Sequence, residues 1–188
     1  MSRRGVSAEN LRKVVHIAVV VAVISVCAQI AIPLFVPVTL QVFGVLLAGF
    51  LLGPRYGFYA VLIYVMLGLI GLPVFAGFRG GFSVVVSPTF GYIISFPIAA
   101  VVAGIFFNAN LREIFKIPLA VLAPTAIIYL FGVFYLMIWS RYIAAKPMSL
   151  AAALSVGVLP FVWFDIIKGA AAYYLTKKLR PVLKYLNR

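Results

Sequence analysis

Residues 161–175 read FVWFDIIKGAAAYYL. This apolar run of helical length carries one acid, Asp165, and one base, Lys168, three residues further on. A helix crosses the hydrocarbon core of a bilayer with ~20 apolar residues. An ionised group at the centre of such a helix costs about 2.5–3.5 kcal/mol on insertion scales. A span that keeps both charges is expected to use them. Spacings of four, three and four place Phe161, Asp165, Lys168 and Ala172 on one helix face. An ionised carboxylate only accepts hydrogen bonds and an ammonium only donates. The pair is neutral as a whole and can meet a small polar ligand from both sides. The structural alternative is an internal salt bridge that fixes helix packing, although desolvation offsets most of such a pair's attraction.

The remainder of the chain calls for the same solvent. Its 188 residues are 65% hydrophobic and 10% charged, with a mean hydropathy of +1.19. A soluble domain of this length cannot hide that much apolar surface. The apolar runs predict an all-α integral membrane protein with six transmembrane helices, at Val14–Ile32, Val42–Leu52, Gly57–Leu72, Tyr92–Phe107, Ile117–Ile138 and Pro160–Thr176. Ser149–Val158 reads as a short helix before the sixth span, and Pro160 suits a first helical turn. The whole chain, 1–188, reads as one transmembrane domain with basic tails at 1–13 and 177–188.

Charge then orients the bundle. With six spans both termini share a side. That side holds Arg3, Arg4, Arg12, Lys13, Arg55, Arg112, Lys116, Lys177, Lys178, Arg180, Lys184 and Arg188, against Arg79, Arg141 and Lys146 opposite. The bias predicts a multi-pass protein of the cell membrane with both termini in the cytoplasm. The net charge of +13 is thereby assigned to lipid head groups rather than to nucleic acid. The first apolar run is longer than a signal-peptide core and no A-x-A site follows it.

The inventory of reactive groups argues against an enzyme: one His, one Cys and three acids. His16 opens the first span on the side away from Asp165. Cys27 lies about three turns further along the same helix, too far to pair with it. No ligand cluster for a metal and no G-x-x-x-x-G-K-[ST] phosphate loop is present. His16 is expected at the membrane interface and Cys27 in apolar packing.

Other segments have the composition of a ligand cap. Gly71–Tyr92 reads GLPVFAGFRGGFSVVVSPTFGY. Gly77, Gly80 and Gly81 permit close backbone approach, Phe75, Phe78 and Phe82 offer faces to a flat ring, and Arg79 can meet an anion at the outer mouth. Gln41 opens the second span from the same side, placed either to reach a ligand amide or to cap the helix. Ala18 and Ala22 form a small-xxx-small pair of the kind that lets helices approach closely in lipid.

PVTLQ (37–41), GLPVFAGFRGG (71–81), PTFGY (88–92) and PFVWFDIIK (160–168), in this order and spacing, resemble the BioY family, the biotin-binding S-components of energy-coupling-factor (ECF) transporters. The resemblance runs from about Ala18 to Pro181. Phe90 and Ser87 stand where the family usually has glycine, and Trp163–Phe164 where it has Pro-Gly.

The resemblance implies an S-component-like bundle with a vitamin site near the outer face, roofed by the glycine loop. Asp165, Lys168, Gln41, Phe75, Phe78, Arg79, Gly80, Gly81 and Tyr92 are its expected biotin contacts. It further implies that Ala18 and Ala22 dock on a transmembrane coupling subunit. Two cytoplasmic ATPase subunits would hydrolyse ATP, so this chain is expected to need no cofactor of its own. The alternatives are an S-component for another vitamin or a biotin precursor, or a scaffold or passive channel. Most spans are too apolar to line a pore.

Overall fold

The structure, a computed structural model, describes residues 8–32 and 34–186, with the backbone alone for 8 and 182–186. Arg3, Arg4 and Arg188 of the basic tails lie outside the described residues, as does the side chain of Lys184. In hydrocarbon every backbone N–H and C=O must find a partner inside the chain, which leaves helix as the form for these apolar runs. Among the described residues six α-helices result: α1 (Ala8–Gln29), α2 (Gln41–Leu69), α3 (Phe90–Asn108), α4 (Glu113–Tyr142), α5 (Leu150–Gly157) and α6 (Val162–Leu186). Between α1 and α2 a short antiparallel pair, β1 (Ala31–Ile32) and β2 (Val38–Thr39), closes a loop, and the 3-10 turn Phe82–Val86 precedes α3.

The second and third predicted spans are the two limbs of α2, which is broken at Gly53, and the expected gap between them closes to that single residue. Gly53 has φ 78 and ψ 177. This region is open to glycine and essentially closed to other residues. The following Pro54 has no N–H to continue the ladder. The chain therefore reverses. Gln41 and Tyr64, 23 residues apart, meet at 2.5 Å, whereas a straight helix would separate them by about 35 Å. The limbs pack so closely that a Cβ on Gly57 would lie 2.9 Å from the Cα of Gly49. Arg180 of α6 caps the broken end by donating to the Phe50 carbonyl at 2.7 Å.

Counted as passes through the bundle, the runs are α1, the two limbs of α2, α3, α4 and α6. By length and composition alone, α1 (from Glu9), α2 taken whole, α3 and α4 are each long and apolar enough to cross a membrane, and α5 with α6 up to Pro181 pass the same test only as a pair bent by 48°. α1 stops at Gln29, short of the predicted Ile32, because Ala31–Ile32 is committed to the β pair. α4 runs past both predicted ends, and α6 starts at Val162, after a turn that contains Pro160. α5 falls where the short helix was predicted, with Ser149 Oγ accepting from Ala152 N at 3.2 Å.

Packing is inside and outside apolar alike. Tyr64, Tyr173, Phe50, Phe75, Ile24 and Leu46 are fully buried, while Leu130 and Phe134 on α4 are each 68% exposed. A face of this kind needs lipid as solvent. Lys13 lies 5.8 Å from the ring of Tyr56, just past the Gly53 break, and Arg180 reaches Phe50 just before it. The start of α1 and the late part of α6 thus share one end of the bundle, and the loops around 30–40, 71–89 and 158–161 gather at the other.

Candidate binding site

The loop-rich end encloses a cavity of about 680 Å³, counting the part open to solvent. Its polar centre is built from α6 outward. Asp165 is 3% exposed. Lys168 Nζ donates to Asp165 Oδ1 at 2.8 Å and to the Thr39 carbonyl at 2.8 Å. The i, i+3 spacing puts both groups on one face, and the end of β2 supplies an acceptor that faces them. From α4, Tyr129 Oη donates to Asp165 Oδ2 at 2.7 Å. The carboxylate still has lone pairs to offer and the ammonium one further N–H. A buried neutral pair with that residual capacity can meet a ligand's N–H and C=O groups together.

A second polar chain runs alongside. Gln41 Nε2 donates to Tyr64 Oη at 2.5 Å, and Tyr64 donates to the Val74 carbonyl at 3.1 Å. Gln41 N donates to Thr39 Oγ1 at 3.1 Å. The helix-cap position before α2 is Leu40, with no side-chain cap bond. Gln41 therefore ties the limbs of α2 to the roof loop while facing the cavity.

That roof is a tight hairpin. Phe75 N donates to Arg79 O at 3.0 Å and Arg79 N to Phe75 O at 3.2 Å. The turn between them needs left-handed backbone at Gly77 (φ 69) and Phe78 (φ 56). α1 holds it from behind. Gln29 Oε1 accepts from Phe78 N at 2.9 Å, and Gln29 Nε2 lies 3.2 Å from the Phe75 carbonyl and 3.5 Å from that of Pro73. Further along, Tyr135 donates to the Val85 carbonyl, and Trp139 Nε1 to the Val86 carbonyl at 2.7 Å.

Of the residues singled out in the sequence, Gln41, Phe75, Arg79, Tyr92, Asp165 and Lys168 all line the cavity. Phe75 is 2% exposed and packs edge-on to Tyr64. Tyr92 is buried with its hydroxyl donating to Gly157 O at 3.0 Å, so its ring faces the cavity and its polar tip does not. Arg79 is exposed at the rim. Phe78, Gly80 and Gly81 do not line the cavity. Phe78 is 71% exposed and points away. Gly81 N bonds Gly68 O at 2.7 Å, and a Cβ on Gly80 would meet Leu72 O at 2.2 Å. Both glycines shape the roof's attachment to α2.

Tyr129 and Gln29 escape a reading by sequence, and residues 37–39 enter it only as part of PVTLQ, with no contact role assigned to them. The only signal of Tyr129 and Gln29 there is a phenol within the apolar AIIYLFGV (126–133) and an amide at the end of the first apolar run. Elsewhere, Ala18 and Ala22 lie exposed on α1, beside Val15, Val19 and Val26 at 50–63% exposure. Cys27 is buried and His16 half-buried.

Comparison with known proteins gives this arrangement its relatives. The sequence matches the BioY family over residues 1–185. It is 43% identical to the biotin transporter BioY of Thermotoga maritima, covering 92% of this chain and 98% of the relative. It is 42% identical to the probable biotin transporter BioY of Pyrococcus horikoshii, covering 90% and 96%. The fold superposes on the crystal structure of the S-component for biotin from an ECF-type ABC transporter with a TM-score of 0.82 and 26% identity, over 96% of this chain and 95% of that one. By sequence and fold together, the chain belongs to the BioY family.

Proposed function

We propose that this protein is the biotin-binding S-component of an ECF-type vitamin transporter and binds its ligand in the cavity at the loop-rich end. The observation that carries this reading is the buried Asp165–Lys168 pair, which faces an apolar cavity with hydrogen-bonding capacity in hand. Biotin offers a flat bicyclic ring with two ureido N–H groups and one carbonyl, an apolar edge and a distant carboxylate. Asp165 accepts a ureido N–H, and Lys168 donates its remaining N–H to the ureido oxygen without leaving Asp165, which limits the desolvation cost. Phe75 and Tyr92 flank the ring. The valerate carboxylate points to the rim, where Arg79 meets it.

In the same reading the loop-rich end faces outward and both termini lie in the cytoplasm of a cell membrane. The excess of Lys and Arg at the opposite end supports that orientation. The chain captures the vitamin but supplies no power. A transmembrane coupling subunit docks on the exposed Ala18–Ala22 face, and two cytoplasmic ATPase subunits drive release.

Titration of the purified chain with biotin, dethiobiotin and thiamine tests the ligand. Tight binding of biotin supports the reading, and no binding of biotin by folded protein rejects it. Asp165→Asn keeps shape but loses the anionic acceptor, at a cost of about 1.5–3 kcal/mol for a charge-assisted bond. Wild-type affinity in both Asp165→Asn and Lys168→Ala would move the site elsewhere.

A further inference from the structure

The end of the bundle opposite the vitamin site holds a second cavity, of about 910 Å³ counting its part open to solvent. It lies between the end of α3, the start of α4 and the late part of α6. Its floor is aromatic, with Phe107 and Tyr173 ring centroids 4.9 Å apart. Its walls are cationic: Lys116, Lys177 and Arg180 stand against one carboxylate, Glu113. That carboxylate is already engaged, by Tyr173 Oη at 3.0 Å and Lys177 Nζ at 3.2 Å.

Among the described residues, neither of the other two cations hydrogen-bonds that carboxylate. Arg180 gives one N–H to the Phe50 carbonyl and lies 4.5 Å from the Phe107 ring centroid. Lys116 Nζ lies 5.9 Å from the same ring. Among the described residues neither takes part in an ion pair. A guanidinium pinned over an aromatic ring with most of its N–H fork unused is preorganised for a tetrahedral oxyanion, and a lysine beside it adds a point charge.

The border of the cavity is apolar. Ile114 and Phe115, beside Glu113 and Lys116 on α4, are 74% and 62% exposed. A cationic recess that opens beside exposed apolar side chains fits a molecule with an anionic head and a hydrocarbon tail. We propose that this cavity binds the phosphate of an anionic phospholipid between Arg180 and Lys116, with an acyl chain laid along Ile114 and Phe115. The chemistry required is a phosphate ester, and the apolar border assigns it to lipid rather than to a soluble anion.

The test uses the full chain in nanodiscs of phosphatidylcholine alone or with phosphatidylglycerol. Retained lipid is counted by native mass spectrometry after gentle extraction, and thermal stability is measured in parallel. Wild type is expected to retain phosphatidylglycerol several-fold over phosphatidylcholine and to melt higher in its presence. Arg180→Gln should lose both effects. Because Arg180 also caps α2, Lys116→Gln is the companion variant, since its side chain makes no hydrogen bond with the described residues. It should keep the melting temperature in phosphatidylcholine and lose most of the enrichment. Equal lipid retention in wild type and Lys116→Gln overturns the proposal, as does the absence of enrichment in wild type. Inorganic phosphate and glycerol 3-phosphate are added to the phosphatidylcholine discs as a separate arm. Stabilisation by these, with none from phosphatidylglycerol, assigns the cavity to a soluble phosphate and overturns the lipid reading.

Discussion

Tyr129 Oη donates to Asp165 Oδ2 at 2.7 Å, so the carboxylate that Lys168 grips from its own helix is gripped from α4 as well. Two donors on two helices fix the carboxylate plane before any ligand arrives. Preorganisation of this kind lowers the ordering cost of binding. Tyr129→Phe removes one donor and leaves the ring. A hydrogen bond to a charged group contributes about 1.5–3 kcal/mol. Biotin affinity should fall by roughly ten- to a hundredfold, as read by calorimetric titration. An unchanged affinity would mean that the ligand's own N–H replaces the phenol.

The pair itself should be strongly coupled. Removing one partner strands the other as a buried charge, and removing both does not. The double variant Asp165→Asn/Lys168→Met should therefore melt no lower than Asp165→Asn alone. Neither should bind biotin tightly. A thermal-shift series over Asp165→Asn, Lys168→Met and the double variant reads the coupling, and simple additivity would mean the groups act independently.

Gln29 supports the roof without entering the cavity. It makes contact with the loop at Phe78 N and at the Phe75 carbonyl. Gln29→Ala removes these, at roughly 0.5–1.5 kcal/mol each. Hydrogen exchange at the Phe78 amide should quicken, and biotin should leave about tenfold faster, with a smaller change in its rate of capture. Stopped-flow fluorescence separates the two rates.

Gly53 separates backbone strain from crowding. A Cβ there would meet only Asn108 Nδ2, at 3.8 Å, yet φ is +78. Gly53→Ala should still cost about 1–3 kcal/mol through the backbone alone. At Gly57 the Cβ would run into Gly49 Cα at 2.9 Å. Gly57→Leu should prevent the limbs of α2 from closing, with loss of monodisperse protein on size exclusion.

The α1 face should be separable from the site. Ala18 and Ala22 are exposed and lie on the side of α1 turned away from the bundle. If a coupling subunit docks there as proposed, Ala18→Trp and Ala22→Trp should leave biotin affinity unchanged and abolish co-purification with that subunit. Loss of affinity would place these alanines in the packing of this chain.

The linear chain already determined its solvent, its helices and the address of its polar centre. Apolar runs too long and too numerous for a soluble core can be satisfied in lipid only as helices, and the i, i+3 spacing of Asp165 and Lys168 puts both on one face in any helix. The loop residues Phe75 and Arg79 were legible as well, since glycine and aromatic alternation marks a close-fitting loop. The tertiary structure decided what those groups meet. Two spans became a hairpin because Gly53 adopts a backbone conformation that composition does not reveal. Tyr129 reaches Asp165, and Gln29 reaches Phe78, across 36 and 49 positions of sequence. The same folding leaves Phe78 and the glycines at 80 and 81 out of the cavity lining. Local periodicity fixes which way a side chain faces on its own helix. Only the packing of helices against one another fixes which distant side chain stands opposite.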